Sequence, residues 1–219
     1  MSAPACETDL SARPGWPARV VRFLPVTGAE DAALLTDLEI ERRDRLHRAD
    51  DRAAFVAARV LVRECAAELL GVGVREVVVV QRCTDCGGPH GRPTVAGFPE
   101  AHVSLSHSRG VVAAAAAWSP CGIDVEPRCS ISPIARVLTA PEQAWLADQP
   151  DLSASFLRLW VRKEALVKAG FGTLDDPRSL DTLAPPVPVT DWAGAYAVGA
   201  FTVGFATRTA SVGNKGVGR

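Results

Sequence analysis

The stretch HVSLSHSRGVVAAAAAWSPCGIDVE, from His102 to Glu126, decides the fold. Val103 and Leu105 alternate with Ser104, Ser106 and Ser108, the period of a half-buried strand. Arg109-Gly110 marks a tight turn, after which Val111 to Trp118 returns alongside. The five alanines Ala113 to Ala117 would also suit a helix. Eight residues between two turn signals are too few for one, however, so they predict a strand packed closely under something bulky. Ser119-Pro120-Cys121-Gly122 has Pro and Gly where a type I turn takes them, and Ile123 to Glu126 is then expected as the third strand of a meander.

Upstream, residues 20–26 alternate as an opening strand, residues 30–38 read as a short helix, and residues 51–70 as a long one. Asp50 or Asp51 is its expected N-cap and Gly71 its end. The β-branched run Val77 to Val80 is a strand, followed by a Gly- and Pro-rich loop over 83–93. Downstream come short helices at 134–138 and 141–147, an amphipathic helix over 153–169 closed by Gly170, a Pro-rich loop, and two short strands within 196–206. Both halves thus read strand, helix and strands, without obvious sequence identity between them, and the chain is expected to be α+β.

The composition is that of an ordinary globular protein: 219 residues, 47% hydrophobic and 22% charged, with 24 basic against 25 acidic side chains. Charge is balanced in both halves, which gives no basic arm for nucleic acid or an anionic membrane. The first ten residues lack an apolar core and no stretch approaches a membrane span, so a cytoplasmic location is expected. Six scattered cysteines do not make a disulfide framework and are expected to be reduced there. Lysine is rare: Lys163, Lys168 and Lys215 only.

Asp124 and Glu126 stand two apart on one strand, so both carboxylates share a face while Ile123 and Val125 fill the other. Like charges held that close suit either a solvated edge or a divalent cation. On a helical wheel with Phe156 at zero and ~100° per residue, Glu164 falls near 80°, inside the apolar arc. Lys168 falls near 120° and Lys163 near 340°, also on the buried side. An i,i+4 pair between Glu164 and Lys168 would explain part of this. Yet a chain that otherwise uses Arg places Lys at both positions, as a compact phosphate-contacting charge requires. Arg52, Arg59 and Arg63 form a stripe beside the apolar face of the first long helix, either a snorkelling rim or an anion site. His107, at a strand end beside serines and a turn, is either a surface residue or a phosphate contact.

In order and spacing, Gly91-Arg92-Pro93, Ser104-Leu105-Ser106-His107-Ser108, Gly122-Ile123-Asp124-Val125-Glu126 and Trp160-Val161-Arg162-Lys163-Glu164-Ala165-Leu166-Val167-Lys168 resemble the signature of the 4'-phosphopantetheinyl transferases. The length resembles the surfactin-type branch, which implies a pseudodimer of two similar α/β halves. Those halves would be residues 1–118 and 119–208, followed by a disordered tail over 209–219, with coenzyme A in the cleft between them. The resemblance implies Mg²⁺ held by Asp124, Glu126 and Glu164, and phosphate contact by Lys168 with Lys163 adjacent. It puts Ser106 and His107 near the 3'-phosphoadenosine and makes Arg42, Arg52, Arg59 and Arg92 coenzyme contacts. The implied reaction is attack by a serine of an apo carrier protein on the β-phosphate of coenzyme A. Glu164 would accept the serine proton, directly or through a bound water. A monomer free of nucleic acid and membrane is expected. The alternative on the same fold is a non-catalytic coenzyme A-binding regulatory protein.

Cys83-x-x-Cys86 with His90 departs from that pattern. Three donors invite zinc, but a structural site wants four, and Cys65 or Cys121 would have to come close. The expectation is therefore a pair of reduced thiols beside the coenzyme site, not a required metal centre.

Overall fold

The computed structural model describes residues 17–28, 30–83 and 86–204. The expected tail lies outside them, as do the first ten residues. Five strands, β1 (Arg19–Pro25), β2 (Val79–Gln81), β3 (Pro93–Val95), β4 (His102–Ser108) and β5 (Val111–Ala117), form an antiparallel sheet in the order β1-β5-β4-β3-β2. A second antiparallel sheet has the order β6-β8-β7, from β6 (Cys121–Pro127), β7 (Val189–Ala193) and β8 (Ala197–Val203). The helices are α1 (Asp37–Asp44), α2 (Ala49–Leu70), α3 (Ala140–Ala147) and α4 (Leu152–Ala169). The α+β expectation holds.

The alanine run is the middle of the molecule. Ala114 and Ala116 face Ala58, Leu61 and Cys65 of α2, whereas Ala113, Ala115 and Ala117 face Ile123 and Val125 of β6. Both faces of β5 are covered, so side chains larger than methyl would overpack a layer. Beyond the second sheet, α4 sets Val161 and Ala165 against Ala200. The layers thus run α2, first sheet, second sheet, α4.

The β4–β5 hairpin forms as expected, with Ser108 opposite Val111, but the meander does not. Both edges of β5 are already occupied, by β1 and β4, so Ser119-Pro120 carries the chain out of the first sheet and β6 pairs with β8 instead. There β6 lies face to face with β4. Three serines stitch the seam: Ser104 Oγ accepts from the Ile123 N–H at 3.2 Å, Ser106 Oγ donates to Asp124 at 2.7 Å, and Ser108 Oγ donates to Glu126 at 2.8 Å.

Helix limits follow caps. Residues 32–34 form only a 3₁₀ turn, because the capping box of Thr36 and Glu39 starts α1 after it. Residues 135–137 are likewise 3₁₀. Arg48, not an aspartate, is the N-cap of α2, while Gly71 ends it with φ 64°. Thr139 with Glu142 caps α3, and Asp151 and Gly170 bound α4. The second sheet takes one strand, not two, from the expected 196–206 region. Its partner β7 falls after the Pro-rich loop, and β2 begins two residues late, after a 3₁₀ turn at Val74–Glu76.

Candidate active site

Among the described glycines, Gly122 meets its neighbours most closely. A Cβ there would stand 1.9 Å from the Ala165 carbonyl oxygen and 2.6 Å from the Ala169 nitrogen. Backbone-to-backbone contact of β6 with α4 brings Glu164 and Lys168 beside Asp124 and Glu126. Asp124 is buried, and its Oδ1 accepts from Lys168 Nζ at 2.6 Å and from Ser106 Oγ. Its Oδ2 is buried, with no hydrogen-bond partner among the described residues.

The carboxylates feel one another. Burial, then the Asp124 charge, raises the Glu164 pKa, with Lys168 opposing and Glu126 adding. Burial also raises Glu126, against the Ser108 hydrogen bond, with the Asp124 charge adding. Raised carboxylates that repel one another are the expected state of a cluster prepared for a cation. The donor set is all oxygen, and the orphaned Asp124 Oδ2 leaves a coordination position open, so these residues fit a hard divalent ion such as Mg²⁺. They are not gathered as tightly as Cys83, Cys86 and His90, whose ligand atoms lie within 4.8 Å of one another.

Next to the cluster opens a cavity of ≈ 420 Å³ lined by Arg59, Gln81, Gly91, Arg92, Pro93, Ser104, Leu105, His107, Val167 and Lys168. Arg59 is buried, with its guanidinium 3.5 Å from the Phe55 ring centroid. Its Nε and Nη1 have no hydrogen-bond partner among the described residues, Glu39 being 3.8 Å from Nε. Burial and the charges of Arg42 and Arg63 lower its pKa to about 10, so it remains a cation at neutral pH. Unpaired buried N–H donors beside a cavity favour an anionic ligand. Surrounding protein, then Arg59 and Lys168, push His107 down to about 4. The ring keeps an exposed face and meets Phe55 edge-on. Free His107 is a neutral acceptor.

Of the expected coenzyme contacts, Arg59, Arg92, His107 and Lys168 line this cavity. Arg42 stands one step back, donating to Gln81 Oε1 at 3.1 Å. Ser106 turns toward Asp124. Arg52 departs from the expectation: it donates to the carbonyls of Leu46 and His47 and lines a separate depression with Arg43 and Asp44. Arg63 is no rim either, being buried in an ion pair with Glu39.

Lys163 departs most. It is fully buried against Glu142 at 3.0 Å and donates to the carbonyls of Pro177 and Leu180, so its ammonium has no surface to offer a phosphate. Gln81 went unrecognised in the sequence. Its Oε1 accepts from both Arg42 and Arg59 while Nε2 donates to the Gly91 carbonyl, and a lone polar residue ending a valine run was its only signal. Cys65 and Cys121 do not join the Cys83 loop. Burial pushes their thiols up to about 11 and about 12, and Cys65 and Cys121 both donate to backbone carbonyls.

Residues 120–199 match the family model described as the 4'-phosphopantetheinyl transferase superfamily. Over 163 residues the chain is 26% identical to a 4'-phosphopantetheinyl transferase of Bacillus subtilis, covering 68% of this chain and 67% of that protein. Over 125 residues it is 30% identical to the 4'-phosphopantetheinyl transferase psf-1 of Bacillus pumilus, covering 54% of this chain and half of that relative's length. The family match spans β6 and α4, the two elements that carry all three carboxylates and Lys168, so it is across the candidate site that the chain resembles these transferases.

Proposed function

We propose that this protein transfers the 4'-phosphopantetheine group of coenzyme A to a serine of an apo carrier protein, releasing 3',5'-ADP. The observation that carries the reading is the contiguity of an all-oxygen carboxylate cluster, with one buried oxygen unpaired, and a cavity walled by Arg59, Arg92 and Lys168. An anion with several phosphates meets cations along the cavity and a cation-hungry cluster at its end.

Asp124, Glu126 and Glu164 would hold Mg²⁺, which when bound supplies charge neutralisation for a pyrophosphate. Lys168 turns from Asp124 toward the phosphates, a short move for a flexible ammonium. Arg59 and Arg92 bind phosphate oxygens, and Gln81 fixes the direction of the Arg59 and Arg42 guanidinium groups. His107 takes the phosphate of the ribose. The serine Oγ attacks the β-phosphorus, forming a new P–O bond as the bridging P–O bond to 3',5'-ADP breaks. Glu164 accepts the serine proton, directly or through a bound water. On this reading the two sheets belong to two subdomains, 1–118 and 119–208, of a pseudodimer. A cytoplasmic monomer meets the carrier there.

The test is incubation with fluorescent coenzyme A and an apo carrier domain, with and without Mg²⁺. Labelled carrier is expected only with the metal, and Asp124→Ala and Glu164→Ala should each reduce the rate by roughly 10²–10³-fold while remaining folded. Coenzyme binding without any transfer, across several carrier classes, would instead support a regulatory protein.

A further inference from the structure

The loop joining β2 to β3 gathers two thiols and an imidazole. Cys86 and His90 are exposed and Cys83 is half-buried, yet their ligand atoms all lie within 4.8 Å of one another. The backbone is folded to bring this about. The Cys83 N–H donates to the Gly88 carbonyl at 2.9 Å, Gly87 N–H donates back to the Cys83 carbonyl at 3.0 Å, and His90 N–H donates to Gly88 at 2.9 Å. Glycines stand where that folding requires them. Gly87 and Gly91 have φ of 69° and 96°, and a Cβ on Gly88 would lie 3.1–3.2 Å from His90 Cδ2, His90 Nε2 and Cys86 Sγ. The Gly88 N–H also points at Cys86 Sγ, 3.4 Å away, and Cys86 Sγ is 3.0 Å from His90 Nε2.

We propose that Cys83, Cys86 and His90 bind one Zn²⁺ ion, with water in the fourth position, and that this staple fixes the β2–β3 turn. Two thiolates and an imidazole nitrogen are a borderline-soft set that selects zinc over the hard cations suited to the carboxylate cluster. An N–H donated to a sulfur favours the thiolate form that a metal requires. Two thiolates also neutralise the dication, which suits a loop flanked by Arg82 and Arg92. The strands joined here pair over only three residues each, so ligation adds a cross-link where the ladder is short. What the staple holds is cavity wall: Gly91 accepts from Gln81 Nε2 at 3.0 Å, and Arg92 follows it. With three protein donors the site is of the open kind, in which water takes the fourth position, and not the closed four-ligand kind of most structural zinc centres.

The experiment uses the full chain purified under reducing conditions without chelator or affinity metal. Elemental analysis should find one equivalent of zinc. After chelation, Co²⁺ alone should restore one equivalent of tetrahedral absorption with thiolate-to-cobalt charge transfer, and the thermal midpoint should fall on chelation and return with Zn²⁺. Cys83→Ser with Cys86→Ser, and His90→Ala, should lose the metal, whereas Asp124→Ala should keep it. If a loop variant does not fold, the Co²⁺ spectrum of the wild-type chain decides by itself. Absence of zinc together with no cobalt–thiolate band, or metal binding unchanged in the double serine variant, overturns the proposal.

Discussion

Helix α4 carries two lysine–carboxylate pairs five residues apart, and they are opposites. Lys163 and Glu142 are both fully buried, and every polar valence is met. The ammonium donates to Glu142, Pro177 and Leu180, and the Glu142 oxygens accept from Lys163, from the Thr139 N–H, and from both the N–H and the hydroxyl of Thr182. Lys168 and Asp124 form a shorter contact, 2.6 Å against 3.0 Å, but the Lys168 side chain is 29% exposed and Asp124 keeps one buried oxygen unpaired among the described residues. A saturated pair has nothing left for a ligand and serves the fold. An unsaturated one at a cavity is where a ligand completes the bonding.

The largest test of this contrast is on stability. Lys163→Ala leaves Glu142 charged and uncompensated in the interior, a loss of about 3–5 kcal/mol, or roughly 6–20 °C in Tm for a chain this long. Lys168→Ala should change Tm little and weaken coenzyme A binding. Thermal and chemical denaturation beside a coenzyme titration measure both. A stable Lys163→Ala protein that had lost coenzyme affinity would reverse the two assignments.

Gly122→Ala should push α4 off β6. The methyl would collide with backbone, which cannot rotate away, so overpacking of about 1–3 kcal/mol is expected together with a disproportionate fall in transfer rate. Equal turnover in the two proteins would show that the open pair tolerates separation of the two elements.

His107 sharpens the cavity side. A phosphate beside it raises a pKa that starts at about 4, so binding takes up a proton and coenzyme A should bind more tightly as pH falls toward that value. His107→Ala should flatten this dependence and weaken coenzyme A by roughly tenfold to a hundredfold, with less effect on dephospho-coenzyme A. A pH profile unchanged by the substitution would place the phosphate elsewhere.

The smallest effect concerns Glu164. Its folded pKa is raised, so the group favours the fold most below its unfolded pKa, and that contribution is lost as pH rises through the raised value. At neutral pH Glu164→Gln should therefore raise Tm, by ~2–4 °C for each kcal/mol relieved, while ending transfer. A lower Tm in metal-free buffer would mean that the carboxylate is already compensated.

Much of this was legible locally. Alternation across Val103 to Ser108 gave β4, and the short span between turn signals made Ala113–Ala117 a strand. The two-residue spacing put Asp124 and Glu126 together, and Glu164 in an apolar arc showed that a charge faced inward, where the structure has it half-buried. Each of these is a matter of period or of neighbours within a few residues, which the chain states by itself. Tertiary structure alone decided the rest. Sheet membership of β6 depended on whether β5 had a free edge, and β1, some ninety residues earlier, had taken it. The wheel placed Lys163 and Lys168 on one buried side, but which of them could meet a ligand depended on Glu142, Thr182 and the carbonyls of Pro177 and Leu180 saturating the first. Hydrogen-bond satisfaction is a property of every group that reaches an atom, and most of those groups lie far away in sequence.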